Sequence, residues 1–171
     1  AVNEFGVSLC VLNGGLGPGR STRGLLPMNL IASRSMPELR DRISDLDASP
    51  YAPFTLLALT PGAHAFAAIW NGRRLDEIPD AGHLMPLASS SWDATAAQVA
   101  RRAHLAHLLD CVARPNAGAL LAFHRSHVPE PGPLSACMHR ADAETVSFTW
   151  VTVTSDEANL YYSPGSPCRS L

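Results

Sequence analysis

The chain has 171 residues, 46% hydrophobic and 16% charged, with a formal net charge of −2. Those values belong to a globular protein with room for one full core, and they exclude the disordered class. They also give no electrostatic footprint for nucleic acid or an anionic membrane surface. All 13 basic residues are Arg, which rules out a Schiff-base lysine, a Walker lysine and a Ser–Lys dyad and fits the composition bias of a GC-rich, bacterial-like genome. No run approaches the roughly eighteen uncharged apolar residues of a spanning helix. Cys10, Cys111, Cys137 and Cys168 are far apart, with no Cys-x-x-Cys and no preceding signal-peptide pattern. A reduced, cytoplasmic setting is therefore expected.

In chain order, Asn3-Glu4-Phe5-Gly6 predicts a turn and Val7 to Leu12 a strand that ends at Asn13-Gly14-Gly15. Only Ala1 and Val2 precede that turn, so the sequence reads as entered mid-hairpin, as the downstream part of a longer domain. Gly14 to Gly24 is a polar loop, and Leu25 to Ser33 a short helix with Pro27 in its first turn. Ser35 and Glu38 form a Ser-x-x-Glu capping box for a helix whose apolar stripe is Met36, Leu39, Ile43 and Leu46. Strands are expected over 54–59, 64–70, 73–78 and 83–88, with Asn71-Gly72 as a type I′ hairpin turn.

Ser91-Trp92-Asp93 caps the longest helix, Ala94 to Val112, with Val99, Ala103, Ala106 and Leu109 as its apolar stripe. A short helix over 117–125, a Pro-rich loop over 126–136 and strands over 145–153 and 159–162 close the chain. Some seven strands and four helices, with the strands grouped, make a single α+β domain over 1–171.

Several constellations carry candidate chemistry. Gly14-x-x-x-x-Gly19-Arg20-Ser21 nearly spells a phosphate-binding loop, but Arg replaces Lys and Pro18 removes one backbone N–H, so a connecting loop is expected. His124-x-x-His127 and Cys137-x-His139 bring metal-ligand types together, and Cys137 with His139 is a conceivable nucleophile pair. The spacing matches no standard finger and a Pro-rich loop separates the halves, so the sequence assigns no metal and no cofactor. A Ser–His–Asp reading lacks a Gly-x-Ser-x-Gly elbow.

The opening stretch, with Ser21-Thr-Arg-Gly-Leu-Leu-Pro27, resembles the NRDE family, named for an Asn-Arg-Asp-Glu signature and including transport-and-Golgi-organisation proteins. Glu144-Thr-Val-Ser147, Tyr161-Tyr162 and Pro164-Gly165-Ser166-Pro167-Cys168 are similar to the closing strands of cysteine N-terminal-nucleophile (Ntn) hydrolases and acyltransferases. That resemblance implies a four-layer αββα sandwich of mainly antiparallel sheets, incomplete at the N-terminus, and places Asn13 as a catalytic oxyanion-hole donor. Two features depart from the pattern. Leu87-Ala88-Ser89-Ser90 stands where the hydrolases have a second Asn, and the nucleophilic Cys, with the signature Arg and Asp, would precede Ala1.

The implied function is a cysteine Ntn-type amidohydrolase or acyltransferase on a small amide or thioester when complete, and inactive as this stretch. The alternative is a non-catalytic carrier of a hydrophobic ligand such as haem or lipid, with His124, His127 or His139 as axial ligands. Either way the expected partner is a small molecule, with no nucleic acid and no membrane span.

Overall fold

In the computed structural model, which describes residues 1–90, 92–154 and 156–170, the chain is mixed α and β with antiparallel sheets. The elements are β1 (Ser8–Asn13), α1 (Leu25–Leu30), α2 (Met36–Ser44), β2 (Phe54–Leu59), β3 (Phe66–Trp70), β4 (Leu75–Ile78), α3 (Ala94–Asp110), α4 (Ala117–Arg125), β5 (Ser147–Val153), β6 (Ala158–Pro164) and α5 (Pro167–Ser170). Two compact units emerge: residues 1–84 with 151–160, and residues 85–150 with 161–171. No helix among the described residues is long and apolar enough to cross a membrane.

The first unit is the meander β1-β2-β3-β4 with α1 and α2 against one face. Alternation puts Leu9, Phe54, Leu56, Ala58, Phe66 and Ala68 on that face, where they meet Leu26, Leu30, Leu39 and Ile43. Phe54 and Leu39 are fully buried and Phe66 is 1% exposed. Each such side chain contributes about 1.5–3 kcal/mol by leaving water.

The expected opening turn is built by Asn3. Its Oδ1 accepts from the N–H groups of Phe5 and Val7, and its Nδ2 donates to the carbonyls of Ile31 and Ser33 at 2.6 and 2.7 Å. Gly6 closes the turn at φ +76°, and a Cβ there would stand 2.9 Å from Val153 Cγ1. Ala1 and Val2 pair with the start of β1, through the Val2–Ser8 bridge and mutual bonds between Ala1 and Leu9. Ser35 caps α2 as expected, accepting from Glu38 N–H. Glu38 returns its carboxylate to the Arg34 N–H, one residue before the position a capping box would use.

Four expectations are corrected. The hairpin at Asn71-Gly72 exists, but Trp70 pairs with Leu75, leaving a four-residue loop. Among the described residues no non-glycine residue has positive φ, so the turn is not type I′, which needs it at both central positions. The Asn71 side chain decides this by accepting from the N–H groups of Arg73 and Arg74. The strand expected over 83–88 is instead a 3-10 turn, Gly82–Leu84, followed by a loop. There the Gln98 amide takes the ladder groups, accepting from Ala88 N–H at 2.8 Å and donating to the Pro86 carbonyl. Among the described residues, six strands and five helices therefore replace the expected seven and four.

The fourth correction concerns α3 in the second unit. Asp93 caps this helix, accepting from Ala96 N–H at 2.8 Å. Most of the expected stripe faces out: Val99 is 64% exposed, and Ala103 and Ala106 are exposed too, while Leu109 is half-buried. Ala97 is fully buried, and Arg101 and His104 follow it on the inward side. Arg101 donates to the carbonyls of Pro133, Leu134 and Ser135, and the His104 ring lies 6.0 Å from that of Phe123. Alanines offer too little apolar area to compete with a long Arg stem that also satisfies three carbonyls.

Candidate metal centre

The second unit converges on one point, and local backbone bonds explain how. Asn116 caps α4, which ends at Ser126, and the Ser126 carbonyl accepts from Cys137 N–H at 3.0 Å. That bond sets Cys137 beside the end of α4, next to His127. Ser135, fully buried, holds its Oγ 2.8 Å from the Cys137 carbonyl and 3.0 Å from that of Gly132. The guanidinium of Arg101 fixes the same loop from the α3 side.

Residues 138–145 turn back on themselves: Thr145 N–H donates to the Met138 carbonyl and Met138 N–H to Thr145 Oγ1, both at 2.9 Å. Ser166 Oγ donates to the Thr145 carbonyl at 2.8 Å, and Gly165 N–H to Val146 at 2.8 Å. These bonds dock α5, and with it Cys168, against His139.

The result is a cluster of His127, Cys137, His139 and Cys168, one ligand atom from each lying within 4.8 Å of the others. His139 Nε2 is 3.3 Å from Cys168 Sγ and 3.6 Å from Cys137 Sγ. Zinc bonds of about 2.0–2.3 Å in a tetrahedron put neighboring ligand atoms roughly 3.3–3.8 Å apart. Both distances match those edges. The rings of His127 and His139 are 5.0 Å apart, and His127 Nε2 is buried with no hydrogen-bond partner among the described residues. A buried imidazole nitrogen without a partner is costly unless something binds it.

The surroundings suit a divalent cation. His139 Nδ1 is 3.3 Å from Glu144 Oε2, so its other nitrogen is turned to the thiols, the carboxylate–imidazole arrangement common behind metal ligands. Arg169 pairs with the same carboxylate at 3.7 Å. Cys137 is fully buried, and burial pushes its thiol above the ordinary value. A bound cation reverses that preference by stabilising the thiolate.

Of the sequence-derived ligands, three meet and one does not. His124 lies outside the cluster, its ring against Phe123 at 5.2 Å and Phe148 at 5.3 Å. Cys168 takes the fourth place, and its separation of 29 positions from His139 gave no motif to find it by. The one available signal was the turn Pro164-Gly165-Ser166-Pro167 immediately before it.

Asn13 ends β1 in the first unit, exposed to solvent. Its Oδ1 accepts from Arg23 Nη1 at 2.9 Å, while Arg23 also donates to the carbonyls of Gly15 and Ala52. Gly14, Arg20 and Ser21 spend their N–H groups on the carbonyls of Pro53 and Pro50, so the loop between them presents no phosphate nest at those positions. No family model matches the chain, and no curated protein matches it.

Proposed function

We propose that the second unit is a metal-binding module that holds one zinc ion through His127, Cys137, His139 and Cys168. The observation that carries this reading is the convergence of four ligand atoms with the His139–Glu144 contact behind them. Mixed thiolate and imidazole ligands favor zinc, and two thiolates neutralise a divalent ion. A closed set of four protein ligands leaves no open position for water or substrate, which makes the zinc structural. The packing gives it a task. Buried apolar side chains among the described residues of this unit are few: Ala97, Ala119, Phe123, Cys137, Phe148 and Pro167. Units with so little core are commonly held by a metal.

Metal analysis of the purified protein tests it, with one zinc per chain expected and with cobalt substitution giving the ligand-field bands of a tetrahedral site. Cys137→Ser and His139→Ala should lose both signals. Protein that carries no metal and shows no cobalt bands disproves the reading.

A second reading, favored by the Asn13–Arg23 contact, is that the chain belongs to an NRDE-type Ntn amidohydrolase or acyltransferase with an αββα sandwich. Arg23 engages the Oδ1 of Asn13, and the Nδ2 of the same amide is the donor atom an oxyanion hole would use. The substrate would be a small amide or thioester, in a reducing, cytoplasmic setting. Turnover of short N-acyl amides and thioesters by the product of the complete reading frame is the test. Asn13→Ala should lower kcat about 10²–10³-fold. Turnover indifferent to that change, or none with any substrate, counts against this second reading.

A further inference from the structure

The two sulfurs of the site are neighbors with unequal access. Cys137 is fully buried, whereas Cys168 is half-buried on the four-residue α5. Their Sγ atoms lie within 4.8 Å of one another, with His139 Nε2 close to both. The other thiols, Cys10 and Cys111, are exposed and are not members of the cluster.

We propose that this pair makes the centre a hydroperoxide-sensitive switch, in which oxidation joins Cys137 to Cys168 and releases the metal; the proposal rests on the zinc reading above. Chemically, the Cys168 thiolate attacks one peroxide oxygen, the O–O bond breaks, and the departing hydroxide takes a proton to become water. The Cys168 sulfenic acid is then attacked by the Cys137 thiolate. An S–S bond forms, the S–O bond breaks, and a second hydroxide leaves as water after taking a proton. In sum, two thiolates, one hydrogen peroxide and two protons give one disulfide and two waters. Each sulfur loses one electron, and the peroxide gains two.

Exposure sets the order, because the half-buried thiolate meets the oxidant and the buried one resolves it. Metal release follows from charge. Zn²⁺ held by two thiolates and two neutral imidazoles is balanced, whereas two imidazoles alone are a poor site. Closing the sulfurs to the ~2.05 Å of a disulfide needs a displacement of a few ångströms. That movement falls to α5, which is held through the Ser166 and Gly165 bonds to 145–146.

The test uses zinc-loaded protein carrying Cys10→Ser and Cys111→Ser, with metal content measured first. Hydrogen peroxide is added in equimolar steps while a chromogenic chelator reports free zinc and intact mass reports the disulfide. The expected result is one zinc released per disulfide formed, reversed by dithiothreitol and added zinc. In a Cys168→His variant, which keeps four ligands but no pair, peroxide should form no disulfide. Zinc retained with both thiols intact under peroxide overturns the switch and leaves the zinc reading standing. Release accompanied only by sulfinic acids also overturns it. Protein that never held zinc removes the zinc reading and the switch together.

Discussion

His139 Nε2 stands 3.3 Å from Cys168 Sγ although 29 positions separate the two residues. The docking of α5 through Ser166 and Gly165 makes that contact. It turns a loop and a terminal turn into one site.

Metal removal should therefore loosen the second unit selectively. By linkage, zinc at about 1,000 times its Kd adds about 4 kcal/mol to whatever folds around it. Hydrogen exchange with and without a chelator is the measurement. Protection should fall in 126–150 and 161–170 while the strands of 54–78 keep theirs. Uniform loss across both regions, or none in either, contradicts the prediction.

Glu144 should tune the site without ligating it. Its carboxylate fixes the orientation of the His139 ring through Nδ1. Replacing such partners typically weakens metal binding 10–100-fold. Chelator competition should place Glu144→Ala in that range, with Glu144→Gln closer to the wild type because it keeps an acceptor oxygen. The pairing with Arg169 is too exposed to matter, and Arg169→Ala should change affinity little.

The orientation of α3 is testable by two substitutions on opposite faces. Val99→Ser alters a residue that is 64% exposed and should cost less than about 0.5 kcal/mol. Ala97→Leu forces extra carbons into a fully buried position and should cost about 1–3 kcal/mol. Chemical denaturation of each variant separates the two, and a reversed order would restore the stripe expected from sequence.

Acidification should destabilise the fold through His104. Burial first, and the charge of His107 second, hold its imidazole below the ordinary 6.5, and its Nε2 is buried without a partner among the described residues. Below pH 6.5 the unfolded chain therefore takes a proton that the folded chain refuses. Stability then falls with falling pH until the depressed folded value is reached. The His104→Leu variant should show a shallower loss than the wild type between pH 7 and pH 5, as read from denaturation midpoints. Parallel curves would exclude His104 as the source.

Local chemistry fixed the helix starts in both units and much of the first unit in advance. Ser35 in the first unit and Asp93 in the second cap their helices where the side chains can reach the first free N–H groups. The stripe Met36, Leu39, Ile43 and Leu46 packs as its spacing implies, and β2 spans the apolar run 54–59. These features depend on neighbors within a few positions, so periodicity and turn chemistry carry them.

The tertiary structure decided what depends on distant partners. Whether 83–88 forms a strand turned on the Gln98 amide, and which face of α3 is buried turned on carbonyls at 133–135. The site follows the same logic. His127, Cys137 and His139 were visible as ligand types, but Cys168 joins them and His124 leaves them only when α5 docks and Phe123 and Phe148 enclose the His124 ring. Ligand geometry is set to tenths of an ångström by hydrogen bonds between segments far apart in the chain, and spacing along the sequence does not encode those bonds.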